Sequence, residues 1–137
     1  MSEESHKGET FFTSAGCMDG RVQKAVNRYA SLIYGAEYAD TVTKAGLDGI
    51  FSKKDVDPQV YEAVKSMLLV SVDRHHSHGI VVHGHEECAG NPVSHEQHKE
   101  DIKKSVAMVK KMMEGRDIEV RGVYVRLSPR IKLEEVV

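Results

Sequence analysis

Two short stretches of the sequence carry the residues whose types and spacing could do chemistry. The first, CMDGR, places the thiol of Cys17, the carboxylate of Asp19 and the guanidinium of Arg21 at alternate positions. The second, HEEC, places the imidazole of His85 three residues before the thiol of Cys88. Two thiolates and one imidazole form a ligand set that suits zinc. Three protein ligands leave the fourth tetrahedral position open, as in catalytic zinc sites.

Each stretch has a simpler interpretation when it is taken alone. A buried thiol beside a hydrogen-bonded histidine would explain His85 and Cys88, because free cysteine is among the most buried residue types. Asp19 and Arg21 would be a solvated first turn of a helix, where the helix dipole favours aspartate. A thiol redox pair is the least favoured alternative, because the two cysteines lack Cys-x-x-Cys spacing. Taken together, the two stretches favour a metal site.

Charge accounting suggests roles for Asp19 and Arg21 at such a site. Two thiolates already neutralise the two positive charges of zinc, so a zinc-bound hydroxide needs support that adds no negative charge to the metal. Asp19 could accept a hydrogen bond from that hydroxide, or it could ligate the zinc and close the site. Arg21 could hold Asp19 in a bidentate pair and keep it off the metal. The residues alone leave both roles of Asp19 open.

The rest of the chain alternates between strand and helix patterns, which predicts an α/β fold with a mostly parallel central sheet flanked by helices. Ligands of such sheets gather beyond the carboxyl ends of the strands, where both stretches would lie. Predicted strands are TFFTSA, EYADTVT, HGIVVHG and IEVRGVYVRL, the last of which closes the sheet. Predicted helices run from Arg21 to Gly35, onward from Pro58, and onward from Ser94, whereas residues 44–58 read as a loop.

Apolar periodicity assigns a core face to each predicted helix. Ser94 and Gln97 form a capping-box pattern at the start of the third helix, and we expect His95 and His98 in its first turn to face solvent. The predicted core positions are Val22, Val26, Tyr29 and Ile33 in the first helix, Val60, Val64, Met67, Leu68 and Val72 in the second, and Ile102, Val106, Val109 and Met113 in the third.

Length and composition narrow the class of protein. The chain has 137 residues, which predicts a single domain over residues 1–137, with residues 1–9 flexible. A net charge of -2 argues against nucleic acid or an anionic membrane as a partner. The apolar runs are too short to cross a bilayer, and the polar N-terminus lacks the pattern of a signal peptide. We therefore expect a cytoplasmic protein with reduced cysteines.

At this point the two stretches resemble a known family. CMDGR followed by GHEEC is similar to the Cys-x-Asp-x-Arg and His-x-x-Cys motifs of the β-class carbonic anhydrases. YADTVTKAG, the run into GIVVHGHEECAG, and VRGVYVRLSPRIKLEEV resemble further segments of that family. The resemblance extends from about Thr10 to the end of the chain and implies a β-carbonic-anhydrase-like zinc domain.

The resemblance implies a site and a reaction. Cys17, His85 and Cys88 would be the zinc ligands, and Asp19 and Arg21 would be the family's catalytic dyad. The implied reaction is the reversible hydration of carbon dioxide to bicarbonate and a proton by a metal-bound hydroxide. The family works as dimers or multiples of dimers with sites at the subunit interface, so we expect at least a homodimer.

Some residues depart from the family pattern. Ala89 stands where the family usually has glycine, and Thr43-Lys44-Ala45-Gly46 replaces its Arg-Asn-Ala-Gly segment. By this resemblance we expect no counterpart, within these 137 residues, of the N-terminal helical arm that often clasps the partner subunit in that family. Two alternatives stay open: the same zinc site acting on carbonyl sulfide or carbon disulfide, and a non-catalytic zinc module in which Asp19 is a permanent fourth ligand.

Overall fold

The computed structural model describes residues 8–137 and contains five strands, four α-helices and one π-helical turn in that part of the chain. Residues 1–7 lie outside the described residues, and most of the segment predicted to be flexible falls among them. The elements follow in the order β1 (Phe11–Gly16), α1 (Gln23–Tyr34), β2 (Tyr38–Thr43), α2 (Leu47–Phe51), α3 (Pro58–Leu69), the π-helical turn (Val70–Arg74), β3 (Ile80–His85), α4 (His95–Met112), β4 (Val120–Arg126) and β5 (Lys132–Glu135).

The strands form one sheet in the order β2-β1-β3-β4-β5. Strands β1 to β4 are all parallel to one another, whereas β5 pairs antiparallel with β4. In the register of β1 and β3, Gly16 pairs with His83, so these two strands end close together at the same edge. This topology confirms the predicted mostly parallel sheet and places the ends of β1 and β3 side by side.

Helices cover both faces of the sheet and bury a separate apolar cluster on each. On one face, α1 packs Val26 and Ala30 against Phe12 and Val81 of the two central strands. On the other face, α2, α3 and α4 bury a larger cluster against the sheet. Burial on both faces explains why β3 reads as a nearly continuous apolar run rather than as an alternating one.

Local sequence signals account for most of the helix boundaries. Gly35 ends α1 in a left-handed conformation (φ 60°), and Asp57 caps α3 by accepting a hydrogen bond from the Gln59 amide. Ser94 caps α4 by accepting from the Gln97 amide at 3.1 Å. The Gln97 side chain bonds Asp101 instead of closing the predicted capping box.

The predicted core faces are confirmed in part. The four predicted core residues of the third helix are all buried: Ile102, Val106, Val109 and Met113. In contrast, Ile33 of α1 and Met67 of α3 are exposed, because each lies at the margin of its helix's apolar face.

Two structural elements correct the sequence predictions. The segment 44–58, predicted as a loop, contains the short helix α2, whose Leu47 and Phe51 lie one turn apart and join the core beside α4. Glycines and aspartates around these two residues obscured the pattern. The strand IEVRGVYVRL does not close the sheet, because β5 adds an antiparallel edge strand beyond β4.

Among the described helices, none combines the length and the apolar character that a membrane span requires.

Candidate metal centre

The structure brings the two chemistry-bearing stretches together at the edge where β1 and β3 end. We name residues 17–21 the first turn and residues 85–91 the second turn. The Sγ atoms of Cys17 and Cys88 lie 3.8 Å apart, and both thiols are free and buried. Together with a ring nitrogen of His85, their ligand atoms lie within 4.8 Å of one another. The three residues could therefore hold one metal ion.

Backbone geometry makes this approach possible. Gly16 packs directly on the buried ring of His83, since a Cβ at Gly16 would lie 2.5 Å from three ring atoms. The chain can leave β1 next to β3 only because this position has no side chain. In the second turn, Glu87 adopts a left-handed conformation (φ 57°), which reverses the chain after β3 and returns Cys88 toward Cys17.

The imidazole of His85 is oriented by the backbone of the next residue, Glu86. Its Nδ1 donates a hydrogen bond to the carbonyl oxygen of Glu86 at 2.7 Å, which leaves the lone pair on Nε2. Nε2 is buried and makes no hydrogen bond with any described residue. A buried nitrogen without a partner is costly unless a ligand satisfies it, so this atom fits a metal ligand.

The spacing of the two sulfurs also fits zinc. With Zn–S bonds of about 2.3 Å, two thiolates of a tetrahedral site lie about 3.8 Å apart. The observed separation is 3.8 Å. Burial and the neighbouring Cys17 raise the pKa of the Cys88 thiol to about 11, so this thiol would hold its proton at neutral pH without a metal. Zinc binding would release that proton, which makes affinity depend on pH.

Asp19 and Arg21 form a two-pronged ion pair beside this cluster. Arg21 donates from Nη2 to Oδ2 at 2.8 Å and from Nε to Oδ1 at 3.1 Å, and its backbone N–H donates to Oδ1 at 2.9 Å. The hydrogen bonds from Arg21 lower the pKa of Asp19 to about 2. Oδ2 of Asp19 lies 3.8 Å from Nε2 of His85. Asp19 is therefore an anion held at the edge of the donor cluster.

Arg21 also links the first turn to the second. Its Nη1 donates to the carboxylate of Glu87 at 3.1 Å, and Nη2 lies 3.4 Å from the Glu87 carbonyl oxygen. Gln23 holds the first turn from the other side by donating to the carbonyl oxygens of Cys17 and Asp19. The guanidinium thus positions Asp19 and bridges the turns at an exposed surface.

A close backbone contact joins the start of α2 to both turns. Gly46 has φ 65°, and a Cβ there would lie 2.4 Å from the carbonyl carbon of Gly90. The Gly46 amide donates to the Sγ of Cys17 at 3.4 Å. The start of α2 therefore contacts one of the two candidate metal-binding sulfurs directly.

Two histidines behave differently from the sequence interpretation. We expected His98 to face solvent, but it is 1% exposed and its Nδ1 contacts Oδ2 of the buried Asp48 at 2.7 Å. His95 is partly buried and bonds the hydroxyl of Tyr124 at 2.6 Å. The sequence held only a weak signal for these contacts, since both partners lie on other elements.

His83 is fully buried behind the donor cluster. It lies two residues before His85 on β3. Burial lowers its pKa to about 4, and neither ring nitrogen has a partner among the described residues. Its ring serves in packing against Gly16 and stays neutral.

The chain is similar to known proteins in sequence family and in fold. Residues 7–136 match the family described as "Putative carbonic anhydrase". A tetrameric β-carbonic anhydrase from Sordaria macrospora superposes with a TM-score of 0.52 at 14% identity, covering 97% of this chain and 84% of that chain. The β-carbonic anhydrase CafA of Aspergillus fumigatus gives a TM-score of 0.49 at 15% identity, covering 97% and 82%. Among curated proteins, no significant match was found.

The family match spans nearly the whole chain, and the Sordaria structure shares its fold. The resemblance read from CMDGR and GHEEC is therefore confirmed: this chain belongs to the putative carbonic anhydrase family and has the β-carbonic anhydrase fold.

Proposed function

We propose that the protein is a zinc-dependent carbonic anhydrase that converts carbon dioxide and water reversibly to bicarbonate and a proton. The observation that carries the proposal is the buried donor set of Cys17, His85 and Cys88, with sulfurs 3.8 Å apart, in a chain of this family. Cys17 and Cys88 would bind as thiolates and His85 through Nε2. Zinc held there would supply a Lewis acid that makes water a nucleophile at neutral pH.

Asp19 and Arg21 would orient the attacking water. Asp19 stays ionised because Arg21 lowers its pKa to about 2, so it can accept a hydrogen bond at any ordinary pH. The bidentate contact fixes both carboxylate oxygens and restrains the group beside the donor cluster. An oriented acceptor raises the rate by holding the water in one geometry as it meets the carbon.

A non-catalytic zinc module is the second candidate, and one distance favours it. Oδ2 of Asp19 lies only 3.8 Å from Nε2 of His85, which is close to the separation of two ligands on one metal. If Asp19 were a permanent fourth ligand, the site would have no position for water or substrate. The two candidates therefore make opposite predictions about turnover and agree about zinc.

We also propose that the protein works as a homodimer or a multiple of dimers. Met18 in the first turn is 63% exposed, so an apolar side chain lies uncovered at the site, and Leu32 near the far end of α1 is 79% exposed. Arg21 and Glu87 are exposed as well. A partner subunit packed here would shield the dyad from solvent. Light scattering should give a mass of at least twice 15.3 kDa. The cytoplasmic location remains a prediction from the sequence.

The test combines zinc stoichiometry with stopped-flow hydration at one neutral and one alkaline pH. We expect about one zinc per chain. Turnover should be faster at the alkaline pH, because a larger fraction of the water activated by zinc would be ionised to hydroxide. One zinc per chain with no hydration at either pH would reject the carbonic anhydrase and favour the module. Release of hydrogen sulfide from carbonyl sulfide, without hydration of carbon dioxide, would instead identify the substrate analogue.

A further inference from the structure

The last residue of the second turn, Asn91, reaches into a buried pair of carboxylates. Its side chain amide Nδ2 donates to Oδ1 of Asp48 at 3.2 Å and to Oδ2 of Asp101 at 3.0 Å. Asp48 belongs to α2 and Asp101 to α4. One amide group therefore ties the second turn to two helices that contribute no metal donor.

The two carboxylates are also held by residues other than Asn91. His98 contacts Oδ2 of Asp48 at 2.7 Å, and the Gly49 amide donates to its Oδ1 at 2.9 Å. Gln97 donates to Oδ1 of Asp101 at 2.9 Å. Asp48, Asp101 and Asn91 are buried (1%, 5% and 9% exposed). Both oxygens of each carboxylate are therefore bonded, and a buried network of this kind favours one arrangement of its members.

Hydrogen bonds connect this network to both candidate metal-binding cysteines. The backbone N–H of Asn91 donates to the carbonyl oxygen of Cys88 at 3.3 Å. The residue whose side chain anchors the turn therefore also closes the turn through its backbone. Asp48 lies two residues after Gly46, whose amide bonds the Sγ of Cys17. The start of α2 thus contacts Cys17 through Gly46 and the turn of Cys88 through Asp48 and Asn91.

We propose that Asn91 is a positioning residue of the metal site, whose amide anchors the second turn to Asp48 and Asp101 and thereby sets the separation of Cys88 from Cys17. This inference rests on the proposed zinc site, but it does not depend on which substrate the site takes. Partners that hold metal ligands in place typically change affinity 10–100-fold when they are lost.

The chain offers a matched control. Gln97→Leu removes a side-chain amide that bonds the same Asp101 carboxylate, but from α4 rather than from the turn. Asn91→Ala removes the anchor from the turn itself. A purely structural role predicts that both variants lower the melting temperature of the metal-free protein and that neither changes zinc affinity beyond that loss.

The experiment measures zinc affinity by competition with a chromophoric chelator, and it records the thiolate-to-cobalt absorption band of the Co²⁺ form. We expect Asn91→Ala to weaken zinc binding by about 10–100-fold and to reduce or shift the cobalt band. Gln97→Leu should stay within about 3-fold of wild type and keep the band, because the turn keeps its anchor. Circular dichroism of the metal-free proteins monitors the fold.

Asn91→Ser, which keeps one hydroxyl donor, is the second variant and should bind zinc more tightly than Asn91→Ala. Equal affinities and bands for wild type and Asn91→Ala would overturn the positioning role while leaving the zinc site intact. Loss of the fold in both Asn91 variants would assign Asn91 to the core and reject the proposal. Absence of zinc binding by wild type would reject the proposed function itself.

Discussion

The two turns that meet at the metal centre are held in opposite ways. In the first turn, Asp19 and Arg21 bond each other across two residues, and the pair is exposed to solvent. In the second turn, His85 and Cys88 are buried, and Asn91 bonds carboxylates from two distant helices. The Asp19–Arg21 pair is bonded within its own turn, whereas the second turn is anchored through Asn91 to α2 and α4.

This difference suggests a division of labour. A turn pinned by buried contacts holds its donors in one geometry, which a metal site requires. A turn at the surface can present a charged group to substrate and solvent without the cost of burying it. We therefore expect changes in the second turn to affect metal binding and stability, and changes in the first turn beyond Cys17 to affect turnover.

The largest effect should come from removing a donor in the second turn. Cys88→Ser replaces a buried thiol, which would bind zinc as a thiolate, with a poor zinc ligand, so zinc content should fall from about one per chain to near zero, with loss of local order. Elemental analysis and thermal denaturation measure both. Ala89→Ser adds the same hydroxyl at the neighbouring exposed position and should keep zinc. Retention of full zinc by Cys88→Ser would remove this residue from the ligand set.

Removing the carboxylate of the first turn should separate binding from turnover. Asp19→Ala should keep zinc and lower hydration about 10²–10⁴-fold, because the attacking water loses its oriented acceptor. Asp73→Ala is the matched control, since Asp73 makes a similar bidentate pair with Arg116 far along the chain. It should leave hydration unchanged. Loss of zinc in Asp19→Ala would instead make Asp19 a ligand and blur the distinction between the turns.

A third change tests the close backbone contact between the start of α2 and the second turn. Gly46→Ala forces a side chain into a left-handed backbone position and against the Gly90 carbonyl. It should cost at least about 3 kcal/mol of unfolding free energy, because backbone on both sides cannot yield. Gly35→Ala is the control, since Gly35 has a similar φ but nothing within 4 Å of an added Cβ. It should cost about 1 kcal/mol. Equal costs in denaturant titrations would show that the contact is not tight.

The smallest effect concerns an exposed pair outside both turns. Arg116 holds the pKa of Asp73 below its ordinary value. A lowered folded pKa stabilises the protein above the unfolded aspartate pKa of about 3.9, and that contribution disappears as the pH falls through the folded pKa. Asp73→Ala should therefore lower the melting temperature by no more than about 3 °C at neutral pH, and by less in acid. A larger loss in acid would contradict this sign.

Much of the fold was predictable because its signals are local. The apolar spacing of Ile102, Val106 and Val109 identified α4, and Gly35 identified the end of α1. The short helix α2 was missed because Leu47 and Phe51 are separated by polar and glycine residues, and only packing against α4 shows why they are helical. The edge strand β5 was missed because its pairing with β4 leaves little apolar alternation to read.

For the candidate site, too, local sequence patterns predicted some features and only the tertiary structure showed the others. Residue types and order in CMDGR and HEEC sufficed to predict Cys17, His85 and Cys88 as candidate metal donors and Asp19 with Arg21 as a pair, because chemistry follows from side-chain identity and spacing. The structure alone decided that the sulfurs lie 3.8 Å apart and that Asn91 and His98 are buried against acidic groups. Those contacts join residues far apart in the chain, and their burial depends on how α2 and α4 pack, which no local pattern encodes.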